Sequence, residues 1–169
     1  MASPVPSPTI PTTYITTHDP QGYSVFRSLN VKLLNPRVAI LYSQPGPLPV
    51  DFTNDADLTA HETRVASPSL GLIPTSGSTT IICEWPPEAG VTTASSMHRT
   101  QSLDIGVMTA GEIELVLDSG ETRRLRAGDV LIHRGTMHSW RNTSETETAR
   151  MVVTVLPSEK VTVGGKVQD

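Results

Sequence analysis

Polar side chains recur at every second position of the segment MHRTQSLD, residues 97–104. If this segment is extended, these side chains point to one face, because successive side chains of a strand alternate. They are His98, Thr100, Ser102 and Asp104. Imidazole and carboxylate groups exchange protons near neutral pH, and they are also metal ligands. The spacing therefore indicates a proton relay, a metal site or the polar lining of a barrel.

A second polar cluster follows in HRGTMHSWRN, residues 133–142. On an extended chain His138, Trp140 and Asn142 share a face. Trp140 is either a stacking wall for an aromatic or polyene substrate or a core filler. His133 belongs to the preceding strand, and the sequence leaves open which face of that strand it occupies.

The elements around these clusters have the patterns of short strands. GEIELVLDSGETRRL, residues 111–125, predicts a hairpin with its turn at Asp118, Ser119 and Gly120. DADLTAHET, residues 55–63, predicts a short helical turn capped by Asp55. Further strands are expected in TTIICEW, GDVLIHRG and ARMVVTVLP. Closely spaced short strands are typical of an antiparallel sandwich or barrel.

The chain of 169 residues fits one domain. We expect an extended or flexible N-terminal arm at 1–22, because this stretch is rich in Pro, Ser and Thr. A single barrel domain is expected at 23–160, followed by a tail at 161–169. The loop-like surroundings of His18 and His61 give these histidines no role.

Composition excludes several classes of function. The net charge of −4 argues against nucleic-acid binding, which needs clustered positive charge. No window approaches the roughly 20 apolar residues of a membrane span, and the N-terminus has no secretory pattern. One cysteine, Cys83, permits no internal disulfide and suits a cytoplasmic location. We expect Cys83 to be a small core residue and Glu84, on the opposite side, to be solvated.

The two polar clusters resemble the paired motifs of the cupin superfamily. Its first motif is H-x-H, three or four residues, an acid, six residues and a glycine. Here His98, Thr100, Asp104 and Gly111 take those places, with threonine where the family has its second histidine. The second motif begins with Gly128 and Asp129 and ends with Gly135, His138 and Asn142, but it lacks the proline and is one residue short. The resemblance implies an all-β, double-stranded β-helix or jelly-roll barrel.

The resemblance also implies a site formed by His98, Asp104 and His138. Two histidines and one carboxylate hold non-haem Fe(II), or Zn with an open position. A threonine in place of the third imidazole weakens such a site. The alternative needs no metal, with the same three residues transferring protons. We therefore leave open whether the cofactor is absent or is one divalent metal, Zn or Fe.

Five more residues are candidates for binding the substrate: Thr100, Met108, Trp140, Trp85 and His133. Each also has a structural alternative, since methionine and tryptophan are common core residues. Arg134, near the place of the missing proline, is expected at the surface. Arg99 is expected to face away from the pocket as a surface or interface charge.

The sequence looks like the small single-domain cupins of specialised-metabolite gene clusters. This resemblance implies an enzyme acting on a small carbonyl-containing, polyketide-like metabolite by decarboxylation, dehydration or isomerisation. A metal-dependent dioxygenase and a non-catalytic binding module are the alternatives. Cupins of this size usually pair, so we also expect a homodimer.

Overall fold

The computed structural model describes residues 15–18, 24–27, 30–46, 50–87, 96–160, 162–163 and 166–167. Within these ranges the chain forms strands β1 to β13 and one α-helix, preceded by a 3₁₀ turn at Thr53–Asp55. The helix is α1 (Ala56–Ala66), and the strands are β1 (Ile15–His18), β2 (Ser24–Arg27), β3 (Lys32–Asn35), β4 (Val38–Gln44), β5 (Ser78–Trp85), β6 (Ser102–Ala110), β7 (Glu112–Leu117), β8 (Thr122–Arg126), β9 (Val130–Arg134), β10 (His138–Arg141), β11 (Ala149–Pro157), β12 (Thr162–Val163) and β13 (Lys166–Val167).

Two antiparallel sheets enclose the core. A six-stranded sheet has the order β3-β4-β5-β11-β6-β9, and a three-stranded sheet has the order β10-β7-β8. Ile81 and Met151 of the first sheet share one buried cluster with Ile113 and Leu125 of the second. Burial of these apolar side chains is the main force holding the sheets together. The predicted all-β barrel of the jelly-roll type is confirmed.

The predicted hairpin is strands β7 and β8. Its turn closes through Gly120, whose N–H donates to the Leu117 carbonyl at 3.0 Å and whose φ is +86°. Leu125 is buried between exposed arginines, so β8 turns one face to the core and the other to solvent. Glu114 does not follow the alternation of buried apolar and exposed polar residues that is usual in a strand. It is buried and forms an ion pair with Arg141, its partner on β10.

The helical turn predicted at 55–63 is a full helix, α1. Asp55 is the N-cap residue of α1, as predicted, but it lies in the left-handed conformation and its side chain makes no capping hydrogen bond. The loop-like setting expected for His61 is wrong. His61 is fully buried, its Nδ1 accepts from the Ser43 N–H at 2.8 Å, and its Nε2 lies 2.9 Å from the Asn30 carbonyl. These bonds attach α1 to β4.

Glu84 contradicts the expectation of a solvated side chain. It is buried, and its carboxylate accepts from Arg150, its partner on the neighbouring strand β11. Arg99 is partly exposed and, as expected, does not face the interior pocket; its guanidinium donates to the Gly135 carbonyl. The first contact joins two strands, and the second joins the segment before β6 to the turn after β9.

The ends of the chain are described only in part. Most of the predicted arm at 1–22 lies outside the described residues, and its described segment, β1, pairs with β2. In the tail, β12 pairs with β13. The domain boundaries drawn from the sequence stay predictions. In the described part of the chain, no helix has the length and apolar character needed to cross a bilayer.

Candidate functional site

A cavity of about 200 Å³ lies inside the barrel. Strands of the six-stranded sheet contribute most of its wall, and β10 and the segment before β6 complete it. The lining residues are Leu72, Ile81, Cys83, Trp85, His98, Thr100, Asp104, Gly106, Leu131, His133, His138, Trp140, Met151, Val153 and Val155. The cavity thus combines an apolar wall with one small group of polar side chains, as small-molecule sites do.

Two tryptophans form an aromatic part of this wall. The ring centroids of Trp85 and Trp140 lie 5.4 Å apart at an interplanar angle of 43°. Trp140 in turn meets the ring of His138 edge-on, with centroids 5.5 Å apart. Both tryptophans singled out from the sequence therefore line the cavity, next to the polar group.

Asp104 and His133 meet because β6 and β9 pair in a register that places them directly opposite each other. His133 Nδ1 lies 3.5 Å from Asp104 Oδ2, an ion-pair distance that is too long for a hydrogen bond. His133 Nε2 lies 2.7 Å from the Thr136 hydroxyl. Among the described residues, the other carboxylate oxygen, Oδ1, is buried without a hydrogen-bond partner. The face of β9 that the sequence left open is thus settled, and His133 points inward.

His98 and His138 meet through a backbone bridge outside the regular strands. Each donates its N–H to the other's carbonyl, at 2.8 and 2.9 Å. Their ring centroids are 4.4 Å apart. In both rings Nδ1 lies 2.9 Å from a backbone carbonyl, that of Ser96 for His98 and that of Thr136 for His138. Carbonyls only accept, so each Nδ1 carries the proton, and Nε2 of a neutral ring keeps its lone pair.

The surroundings of His138 oppose a positive charge. Its side chain is 3% exposed. Burial lowers the pKa of His138 to about 4, and the neighbouring His133 and His98 lower it further, against the opposing effect of the Thr136 hydrogen bond. His138 is therefore neutral at physiological pH, and its Nε2 acts as an acceptor.

Cys83 is chemically quiet despite lining the cavity. Burial raises the pKa of its thiol to about 12, and the negative charge of Asp104 contributes to the increase. A neutral thiol is a poor nucleophile. The structure thus agrees with the expectation that Cys83 serves packing.

The structure brings His98, Asp104 and His138 to one cavity, but the alternation from 98 to 104 is interrupted. The Ser102 N–H donates to the Thr100 carbonyl at 2.9 Å, which turns the chain before β6 begins. Ser102 is buried outside the cavity lining. Met108, a candidate for substrate binding, does not line the cavity either, because it lies farther along β6 in the hydrophobic core. That assignment is corrected.

Sequence analysis missed two contributors to the site. Thr136 lies in the turn after β9 and contacts both neighbouring histidines, through its hydroxyl to His133 and its carbonyl to His138. β11 supplies three wall residues at alternate positions: Met151, Val153 and Val155. The alternation in ARMVVTVLP was visible, but nothing in the sequence indicated which face turns inward.

Asn142 holds the loop after β10 in place by donating to the carbonyls of Trp85 and Glu147.

The residues expected to hold a metal do not fit a three-ligand site. His98 and His138 have the backbone-anchored Nδ1 that is usual in metal-bound histidines. The third expected ligand, Asp104, instead has one carboxylate oxygen beside His133. Across the described residues, no group of three or more His, Cys, Asp or Glu side chains is placed to hold a metal ion. We therefore derive no reaction step through a metal.

The fold and the site together define a β-barrel protein with an internal small-molecule cavity. Comparison with protein families matches residues 81–155 to the family described as Cupin domain. Phomopsin biosynthesis cluster protein D of Diaporthe leptostromiformis is 39% identical over 163 residues, covering 92% of this chain and 83% of the relative. The cupin-domain-containing oxidoreductase srdB of Neurospora crassa is 38% identical over 173 residues, covering 98% and 83%.

Among solved structures, the chain is similar to a Cupin 2 conserved barrel domain protein from Salinispora arenicola CNS-205. That structure is 23% identical, with 77% of this chain and 86% of the other covered and a TM-score of 0.44. The chain belongs to the cupin family. Its relatives include cupin proteins of fungal biosynthetic clusters, some of which are named oxidoreductases.

Proposed function

We propose that this protein is an enzyme of specialised metabolism that performs non-redox acid–base chemistry on a small carbonyl-containing, polyketide-like metabolite. The reaction begins with removal of a proton beside the carbonyl and continues by loss of water or migration of a double bond. In a decarboxylation, the bond to the carboxylate breaks instead, carbon dioxide leaves, and the resulting enolate takes up a proton. The observation that carries the proposal is Asp104 Oδ1, a buried carboxylate oxygen without a hydrogen-bond partner among the described residues, in a cavity that also holds three imidazoles.

Asp104 is the base in this proposal. Its Oδ1 makes no hydrogen bond within the described residues, so this oxygen is free to approach a C–H group of a bound ligand. Oδ1 takes the proton from the carbon beside the carbonyl, and the C–H electron pair passes to the carbonyl oxygen as an enolate. His133 stays beside Oδ2 and holds the carboxylate in place.

The remaining polar groups position the substrate. The Thr100 hydroxyl is a hydrogen-bond donor for the enolate oxygen, and the neutral His138 accepts the substrate hydroxyl at Nε2. In a dehydration, the enolate expels the hydroxyl group from the next carbon. That group takes the proton held by Asp104 Oδ1 and leaves as water, with a carbon–carbon double bond formed. His98, at the exposed rim of the cavity, exchanges protons with solvent.

The test uses the aldol adduct of benzaldehyde and acetone, a β-hydroxy ketone whose dehydration product, benzalacetone, absorbs as a conjugated enone. We expect the wild-type protein to accelerate enone formation and Asp104→Asn to lose about 10²–10⁴-fold of that rate, the usual contribution of acid–base catalysis. Arg134→Gln, an exposed change on the outer face of β9, is the matched control and should keep the rate. Equal rates in the wild type and Asp104→Asn, or no acceleration of a bound adduct, would contradict the proposal.

Some relatives are named oxidoreductases, and the redox alternative that the family resemblance leaves open is a metal-dependent oxygenase. It makes a different prediction for the purified protein: stoichiometric iron and oxygen consumption that depends on an added substrate. Elemental analysis and an oxygen electrode measure both. Enone formation in metal-free buffer with no oxygen uptake would favour the acid–base enzyme.

A further inference from the structure

We infer that the cavity selects uncharged, hydroxyl-bearing planar compounds and rejects carboxylates. This inference deepens the proposed function and rests on it for the reaction, but its physical basis is the charge and hydrogen-bond character of the cavity wall.

No lysine or arginine side chain among the described residues lines the cavity. The nearby arginines serve other partners: Arg99 donates to the Gly135 carbonyl, Arg141 pairs with Glu114, and Arg150 pairs with Glu84. A carboxylate ligand would thus meet the Asp104 carboxylate with no arginine or lysine to pair with. In a poorly solvated cavity, such an unpaired like-charge contact is strongly unfavourable.

The polar end of the cavity is rich in acceptors. Asp104 Oδ1 is a buried acceptor that lacks a partner within the described chain. Nδ1 of His98 and of His138 is bound to a backbone carbonyl, so Nε2 is the ring nitrogen that each histidine has left for a ligand. A ligand that fits these groups must bring donors, and an alcohol or phenol hydroxyl is an uncharged donor.

The remaining wall favours a flat, unsaturated body. Trp85 and Trp140 lie side by side, and aromatic faces stack on planar rings. Among the described lining residues, the rest of that wall is apolar apart from the neutral Cys83 thiol and offers no charged partner for a second charged group. If the substrate has no carboxylate, decarboxylation is excluded from the possible reactions, because that reaction removes a carboxylate group. Dehydration and double-bond migration remain.

The experiment compares ligands that differ in one group on the same phenol ring. Para-hydroxyacetophenone and para-hydroxybenzamide are uncharged, and para-hydroxybenzoate is the anionic isostere of the amide. The two tryptophans of the chain both line the cavity, so tryptophan fluorescence reports directly on its occupancy. Calorimetry provides an independent affinity. We expect both neutral ligands to bind at least about tenfold more tightly than the carboxylate.

Asp104→Asn separates charge selection from shape. Its amide keeps the size of the carboxylate but removes the negative charge, so the preference for the neutral ligands should shrink toward unity, with circular dichroism confirming the fold. Equal or tighter binding of para-hydroxybenzoate to the wild type would overturn the inference, as would an unchanged preference in Asp104→Asn or failure of all three ligands to bind. Because no turnover is measured, neutral binding without enone formation would instead count against the proposed function alone.

Discussion

At the scale of the residue, burial keeps two titratable groups of the site, His138 and Cys83, uncharged. His138 is nearly inaccessible to water and touches two other imidazoles, so its protonated form is doubly disfavoured. Asp104 has one carboxylate oxygen beside His133 and one without a partner in the described chain. The Cys83 thiol stays protonated for the same reason that His138 stays neutral. A low-polarity cavity thus holds a neutral acceptor beside a carboxylate base.

The pKa of His138 predicts a particular dependence of stability on pH. In the folded protein this pKa is about 4, below the value of about 6.5 expected for an unfolded chain. Between these values the unfolded state binds the proton more tightly. The contribution of this histidine to the free energy of unfolding should therefore be complete above about pH 6.5. The free energy of unfolding should fall by roughly 1–3 kcal/mol as the pH drops toward 4.

Urea unfolding at about pH 5 and about pH 7.5 measures this dependence. The matched variant is His138→Gln, which keeps a polar side chain but does not titrate. We expect the drop to be smaller in the variant by the contribution of this one histidine. An identical drop in both proteins would show that other groups cause it.

At the scale of the element, two glycines with positive φ illustrate different constraints. Gly111 joins β6 to β7 at φ +65°, and a Cβ there would lie 2.6 Å from the Thr148 carbonyl oxygen. Gly120, in the β7–β8 turn, has φ +86° and open space around its Cβ position. The glycine of the first cupin motif is therefore required by close packing as well as by conformation.

Substituting these two glycines separates the two constraints. Gly120→Ala should cost about 1 kcal/mol, the usual penalty of a left-handed conformation for alanine. Gly111→Ala should cost more, on the order of 2–4 kcal/mol, because the Thr148 backbone must also move. Thermal or urea unfolding of both variants measures the difference. Equal losses would mean that the β6–β7 connection relaxes freely around the added methyl group.

Local patterns predicted the strands well, because alternation and turn residues are short-range signals. The β7–β8 hairpin, with Gly120 in its turn, followed directly from its residues. The site was predicted only in part. The packing of His61 against β4 depends on Ser43 and Asn30, which are distant from it in sequence. The contact of Asp104 with His133 requires the register of β6 and β9, which no single strand encodes.

At the scale of the whole molecule, one outer face of the barrel is unusually apolar. On the paired strands β6 and β9, Ile105 lies opposite Ile132 and Val107 lies opposite Val130. These side chains are 39–63% exposed. β9 also ends its sheet within the described chain, so its outer backbone edge has no neighbouring strand there. Exposed apolar patches and open edges are typical interaction sites.

We predict that a second copy of the chain covers this patch, which would account for the homodimer expected from the family. A twofold axis beside β9 would align two such edges antiparallel and bring Val130 and Ile132 of both copies together, so the patch is complementary to itself. Light scattering after size exclusion should give twice the 18.2 kDa chain mass for the wild type. The double substitution Val130→Lys and Ile132→Lys should give monomers, because four charges would meet in the interface. Leu33→Lys changes another exposed aliphatic residue, on β3 at the opposite end of the same sheet, and should leave the dimer intact. A monomeric wild type would contradict the prediction, and dissociation by Leu33→Lys alone would place the pairing at another surface.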